Sequence, residues 1–170
     1  ETPGLLSSLA QLAESTNSKL AWIPRRAGEM GALHAGAIGN LLPGGRPVAD
    51  NSARVDVAAT WGVASLPAEK GRSSYEIVKA ANNGEISALV LGGIDPHDHS
   101  YHGELISALK KSFVLSLEIA SSSVAAFADV ILPVAAVAEK SGSFRNWEGR
   151  SRSFDAAVSE SLLRSDVRIL

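Results

Sequence analysis

Glu139, Asn146, Glu148 and Arg150, with Gly142 and Gly149 among them, follow an apolar run that ends at Pro133. A polar loop leaving the carboxyl end of a strand is where an open α/β sheet presents its ligand-facing groups. Upstream, His97, His99 and His102 lie beside Asp95 and Asp98. The alternation His97-Asp98-His99 would set two imidazoles on one side of an extended segment, a spacing zinc can use. The competing and expected reading is a solvated polar loop that caps the next helix, with no metal bound. Glu118 closes another apolar run. Buried, it would be an acid of raised pKa; more often such a residue caps the following helix or pairs with a base.

Lys140, Arg145, Arg150 and Arg152 interleave with Phe144, Trp147 and Phe154. Such interleaving can stack on single-stranded nucleic acid. No excess of positive charge supports that here, so packing of the aromatics against a neighbouring domain is expected instead. Gly92-Gly93 allows close backbone approach or positive φ, although a Gly pair after a strand is more often a tight turn. The chain has no G-x-G-x-x-G opening a helix and no G-x-x-x-x-G-K-[ST], so classical NAD and P-loop sites are disfavoured. Nor is there a Ser/His/Asp or Cys/His arrangement with a recognisable elbow. No catalytic residue is expected in these 170 residues.

Several elements must hold those groups in place. Leu5, Leu9, Leu12 and Ala13 form one stripe of an amphipathic helix over 4–17. Lys19 to Ile23 reads as a short strand closed by Pro24. A short helix around Gly31–Ile38 sits in a glycine-rich connection. Residues 40–71 carry so many Gly and Pro that they read as an extended arm with one helical turn near Val55–Ala59. Ser73 and Glu76 are spaced as a capping box for a helix that Gly84 stops. Ile86–Leu91 reads as a strand buried on both faces and Tyr101–Lys111 as a helix. Phe113–Leu117 is a further buried strand, Ser121–Phe127 a short helix, and Asp129–Leu132 the last strand before an ordered loop. This alternation predicts an α/β fold, a mostly parallel sheet with flanking helices. The strands' carboxyl ends then open on one edge, where the loops 92–96, 118–123 and 134–150 meet.

Composition narrows the setting. The chain is 45% hydrophobic and 20% charged, with net charge -2, which exerts no pull on nucleic acid or an anionic membrane. Zero cysteines exclude disulfides and iron–sulfur ligation within these residues. No apolar stretch reaches the roughly 18 residues of a membrane span. With Glu1 first and Met30 the only methionine, the chain reads as part of something longer. One domain over 1–155 is expected, with 156–170 beginning a segment that leads to a following domain.

Ala128-Asp129-Val130-Ile131-Leu132-Pro133, then Glu139, then Gly142-Ser143-Phe144, then Asn146-Trp147-Glu148-Gly149-Arg150, resembles the signature of molybdopterin oxidoreductases, which include formate dehydrogenases and periplasmic nitrate reductases. Leu91-Gly92-Gly93-Ile94-Asp95-Pro96 is similar to that family's G-x-N-P loop, with Asp95 where Asn is usual. Ala21 to Glu29 and Gly31-Ala32-Leu33 resemble the actinobacterial branch found in respiratory complex I, an NADH-quinone oxidoreductase. The resemblance implies a Rossmann-like domain of the molybdopterin oxidoreductase fold. In cofactor-bearing members the matching loops contact the guanine-dinucleotide part of the pterin, which makes Gly93, Asp95, Glu118, Glu139 and Asn146 the candidate cofactor-binding residues. This chain has Ser122-Ser123-Val124 where members usually have a Thr-Glu-Thr-like sequence.

For the complex I branch the resemblance implies a scaffold domain of the peripheral arm, on the cytoplasmic face of the membrane and without molybdenum. It would pack against other domains of its own subunit and other peripheral-arm subunits, with NADH and iron–sulfur clusters elsewhere in the complex. The alternatives are a pterin-dinucleotide-binding domain of an active molybdenum or tungsten oxidoreductase, and a free-standing dinucleotide- or metal-binding α/β domain.

Overall fold

The computed structural model describes residues 4–24, 26–158 and 162–170. Helix α1, Leu5–Thr16, ends where Asn17 turns left-handed. Its stripe is real but unpacked: Leu5, Leu9 and Leu12 are exposed, and no residue of α1 is buried. The strand expected at Lys19–Ile23 is absent. An extended segment becomes a strand only when a neighbour takes its backbone groups, and none pairs with it among the described residues. Leu20, Trp22 and Ile23 are accordingly exposed.

Helix α2, Glu29–Ala35, is bounded by Gly28 and Gly36, both at positive φ. Gly36 has a packing reason as well, since a Cβ there would lie 2.6 Å from the Leu42 carbonyl carbon. Strands β1, Leu41–Leu42, and β2, Arg46–Pro47, form a small hairpin. The arm expected over 40–71 is more ordered than its glycines suggest, because helix α3 spans Asn51–Trp61. Gly and Pro flank residues 48–61 without interrupting them. Asp50 caps the helix by accepting from the Ser52 N–H at 2.9 Å. Ala53 and Val57 are buried against Leu42 and Val48, a small second core.

Helix α4, Ser74–Asn82, starts with the expected capping box. Glu76 accepts from the Ser73 N–H at 2.7 Å, and Ser73 Oγ accepts from the Glu76 N–H at 3.3 Å. Ser73→Ala should therefore cost about 1 kcal/mol of local stability. Faster amide exchange over the first turn of α4, with the rest of the domain unchanged, would register it.

Strand β3, Ala88–Gly92, helix α5, His102–Lys111, strand β4, Phe113–Glu118, and strand β5, Val130–Pro133, build a parallel sheet in the order β3-β4-β5. The α/β expectation holds. Leu89, Leu91 and Val114 face a core shared with Val78 and Ala81 of α4 and Leu105, Ala108 and Leu109 of α5. The other face differs from the two-sided burial expected at Ile86–Leu91. Ala88 and Val90 are exposed, because α4 and α5 both pack on the opposite side. Pro133 lies on edge strand β5, where its missing N–H deprives no neighbour of a donor.

Ser121–Phe127 is mostly irregular, with a single 3-10 turn at Ala125–Phe127. Ser122 Oγ takes the Val124 N–H at 3.2 Å, a local competitor to helix. The loop expected after Pro133 contains a turn at Val137–Glu139 and a hairpin of β6, Gly142–Arg145, and β7, Ser151–Phe154. The strand ending at Leu132–Pro133 is therefore not the last one. Phe144 stacks across the hairpin on Phe154, with centroids 5.1 Å apart. These two rings support the hairpin from within, a role that reading them as interface groups does not foresee. Helix α6, Asp166–Ile169, follows a bridge from Arg164 back to Val134.

Candidate functional site

At the carboxyl edge of the sheet, Gly93 turns at φ 64 with open space where a Cβ would sit. That turn delivers Asp95, whose Oδ1 accepts from the His97 N–H and meets His97 Nδ1, each at 3.0 Å. Ser123 donates to the same oxygen at 3.2 Å, so Asp95 joins the loop after β3 to the loop after β4. The His97 N–H, then the His97 ring, hold the Asp95 carboxyl below its ordinary value of 3.8.

Glu118 ends β4. Its Oε1 accepts from Ser116 Oγ at 2.5 Å and Ser122 Oγ at 2.7 Å. Ser116 is buried, and a buried hydroxyl needs a partner. Glu118 thus pairs with hydroxyls rather than a base, and reaches the following turn only through Ser122.

Gly93, Asp95 and Glu118 are brought to one edge. Glu139 and Asn146 serve their own turns. Glu139 accepts from the Ala136 N–H at 2.8 Å. Asn146 Oδ1 accepts from the Arg150 N–H at 2.9 Å, and its Nδ2 donates to Glu148 at 3.2 Å. Arg150 approaches Glu148 at 3.4 Å, closing the hairpin tip on itself.

The histidines disperse. His97 stacks near His102 with centroids 6.3 Å apart, while His99 packs on Tyr101 at 5.0 Å. Asp98 pairs with Arg26 at 2.6 Å. Among the described residues no group of three His, Asp or Glu side chains converges as a metal site. Arg26 also lines a groove of about 490 Å³ with Pro24, Phe144, Trp147, Arg150 and Arg152. Sequence reading missed the Arg26 side of this groove, since nothing local in Ala21–Gly28 announces that it faces Phe144, Trp147 and Arg152.

A dinucleotide's pyrophosphate requires free N–H or cationic donors. Asp95 and Glu118 bring carboxylates that are already hydrogen-bonded, and Asn146 commits its amide to Glu148 and Arg150. Only the open backbone at Gly93 suits close approach. Asp95, Glu118 and Asn146 are thus engaged within the chain, and none of them offers a pyrophosphate a cationic donor.

Asp129, in the middle of the strand signature, has a role the sequence did not disclose. Its Oδ2 accepts from the Val114 N–H at 2.7 Å, and its own N–H donates to the Val114 carbonyl at 2.8 Å. This pair of hydrogen bonds to β4 sets the start of β5.

Lys140 reaches Asp166 at 2.5 Å, and that hydrogen bond chiefly holds the Asp166 carboxyl below 3.8. A depressed folded value means the stabilisation is present above about pH 3.8 and fades as pH falls through the folded value. The amide of Ala135, bonded to the Arg164 carbonyl at 2.9 Å, reports on this. Its exchange, corrected for intrinsic pH dependence, should open on acidification in the native chain and lose that extra acid response in Lys140→Met.

Comparison with known proteins agrees with this architecture. The family model for molybdopterin oxidoreductase matches residues 4–170. The G subunit of NADH-quinone oxidoreductase from Mycobacterium tuberculosis is 49% identical over 172 residues, covering 99% of this chain and 21% of that protein. The corresponding G subunit of Streptomyces coelicolor is 49% identical over 98% of this chain and 20% of its own length. Formate dehydrogenase H of Escherichia coli is 32% identical over 100% of this chain and 25% of its own. The chain spans about one fifth of the length of the two NADH-quinone oxidoreductase relatives. A model match over nearly every residue, on a parallel sheet whose last strand carries the signature, places the chain in the molybdopterin oxidoreductase family.

Proposed function

We propose that this chain is a scaffold domain of the G subunit of an NADH-quinone oxidoreductase, in the peripheral arm on the cytoplasmic face of the membrane. It packs against the rest of its own subunit and other peripheral-arm subunits, while NADH oxidation and the iron–sulfur clusters belong to other parts of the complex. The identity of 49% to two such G subunits over nearly the whole chain carries this reading. The closed hydrogen bonding of Asp95, Glu118 and Asn146 supports it, since each polar group already has an internal partner. Among the described residues no helix is long and apolar enough to cross a membrane.

The second reading, a domain that binds a pterin dinucleotide in a live molybdenum or tungsten enzyme, draws on the likeness to formate dehydrogenase H. Metal and pterin analysis of the purified native complex separates the two. Molybdenum, tungsten and guanine-dinucleotide pterin should all stay far below one per complex. A stoichiometric content of metal with that pterin overturns the scaffold reading.

A further inference from the structure

Asparagine is followed by glycine at one place in this chain, Asn83-Gly84. Glycine has no Cβ to shield its backbone nitrogen, so that nitrogen can reach the carboxamide of the asparagine before it. Asn17, Asn40, Asn51, Asn82 and Asn146 precede Ser, Leu, Ser, Asn and Trp instead. Some of these are also tied down. Asn82 donates to the Val78 and Glu104 carbonyls at 3.1 and 2.8 Å, and Asn51 accepts from Arg54 at 3.0 Å. The Asn83 side chain has no hydrogen bond among the described residues.

The pair closes α4. Asn83 caps the helix at φ -82, ψ -5, and Gly84 follows at φ 79. The Gly84 N–H donates to the Ala81 carbonyl at 3.1 Å, and the Glu85 N–H to the Ala80 carbonyl at 2.9 Å. While these bonds stand the Gly84 nitrogen is committed to the turn, so attack on the carboxamide waits for the turn to open. Asn83, Gly84 and Glu85 are all exposed, and an exposed helix end opens at little cost. Asn83 also lines an open groove with Lys79, Lys111 and Glu104. The two ammonium groups outweigh the carboxylate, and positive charge favours an anionic nitrogen.

We propose that Asn83 is a site of spontaneous modification, gated by the last turn of α4. When the turn opens, the Gly84 amide nitrogen loses its proton to water and bonds to the Asn83 side-chain carbonyl carbon. The bond from that carbon to the side-chain nitrogen breaks, and ammonia leaves with a proton returned from water. Water then opens the cyclic imide at either carbonyl, giving aspartate or isoaspartate. Both products put a carboxylate at the negative end of the α4 dipole. Isoaspartate also adds a methylene to the main chain, which takes the Gly84 and Glu85 N–H groups out of register with the Ala81 and Ala80 carbonyls. The reaction needs only water and this chain's own residues, so it proceeds whether or not the parent protein holds a pterin.

Timed incubation of the purified native complex at mildly alkaline pH, followed by peptide mass mapping, tests this. Electron-transfer fragmentation separates isoaspartate from aspartate, and a free peptide of residues 80–87 sets the unrestrained rate. Conversion of Asn83 in the native complex should lag the peptide by no more than about tenfold, as for an opening helix end. It should precede conversion of Asn17, Asn40, Asn51, Asn82 and Asn146, and isoaspartate should be among the products. In the isoaspartate fraction the Gly84 and Glu85 amides should exchange faster than in unmodified protein. A greater lag, another asparagine converting first, aspartate as the sole product, or unchanged exchange of both amides overturns the proposal.

Discussion

Leu109→Ala in the full-length subunit should open the α/β core, at a cost of about 2–5 kcal/mol. Leu109 is 1% exposed and belongs to the cluster that joins α5 to β3, β4 and α4. Deleting its branched end removes transfer energy and leaves a cavity that the surrounding helices and strands fill only in part. The subunit is larger than this domain, so amide exchange is a better measure than a single unfolding midpoint. Amides of β4 and α5 should exchange at least about thirtyfold faster, which corresponds to roughly 2 kcal/mol. The matching change at Leu12, 58% exposed on α1, should leave those same amides unaffected. Equal effects at both positions would contradict the assignment of the core.

Asp129→Ala carries the second large effect. Val114 is wholly buried, and its N–H has the Asp129 carboxylate as acceptor. Removing that acceptor leaves a buried donor unsatisfied, at about 1–3 kcal/mol. Asp129→Asn keeps a carbonyl oxygen in the same place and should cost clearly less. Exchange of the Val114 amide checks the pair: fast in the Ala variant, nearer native in the Asn variant. If both variants protect it as well as the native chain does, the carboxylate has no such role. The result bears on the signature Ala128 to Pro133, whose Asp then has a structural reason that needs no ligand.

Much of the local architecture is legible in sequence, and the reason differs by element. The Ser73/Glu76 box, the Gly stop at 84 and the period of Ile77, Val78 and Ala81 agree on one helix, and α4 forms there. The apolar runs at 86–91, 113–117 and 129–132 each become a strand of one parallel sheet. Helix α3 reads as mostly arm because glycines and prolines crowd its ends, though none falls within it. Lys19–Ile23 has strand composition, but composition supplies no partner for its backbone. The hairpin at 142–154 depends on Phe144 meeting Phe154 across the two strands, a contact that no period of 2 or 3.6 describes.

The candidate site divides along the same line. Sequence by itself determined the family, the order of α4, β3, α5, β4 and β5, and the three loops in which Gly93, Asp95, Glu118, Glu139 and Asn146 stand. Those features depend on residues near one another in the chain, through caps, periodicity and ordered motifs. Only the tertiary structure decided what these groups do. Asp95 meets Ser123 from 28 residues away, Asp129 closes on Val114, and Arg26 crosses to Asp98. Hydrogen bonds of this kind depend on where the sheet brings separate loops, so neighbours in the sequence do not announce them. The exposure of Ala88 and Val90 has the same origin, because handedness and strand order, not residue type, choose the side on which α4 and α5 lie.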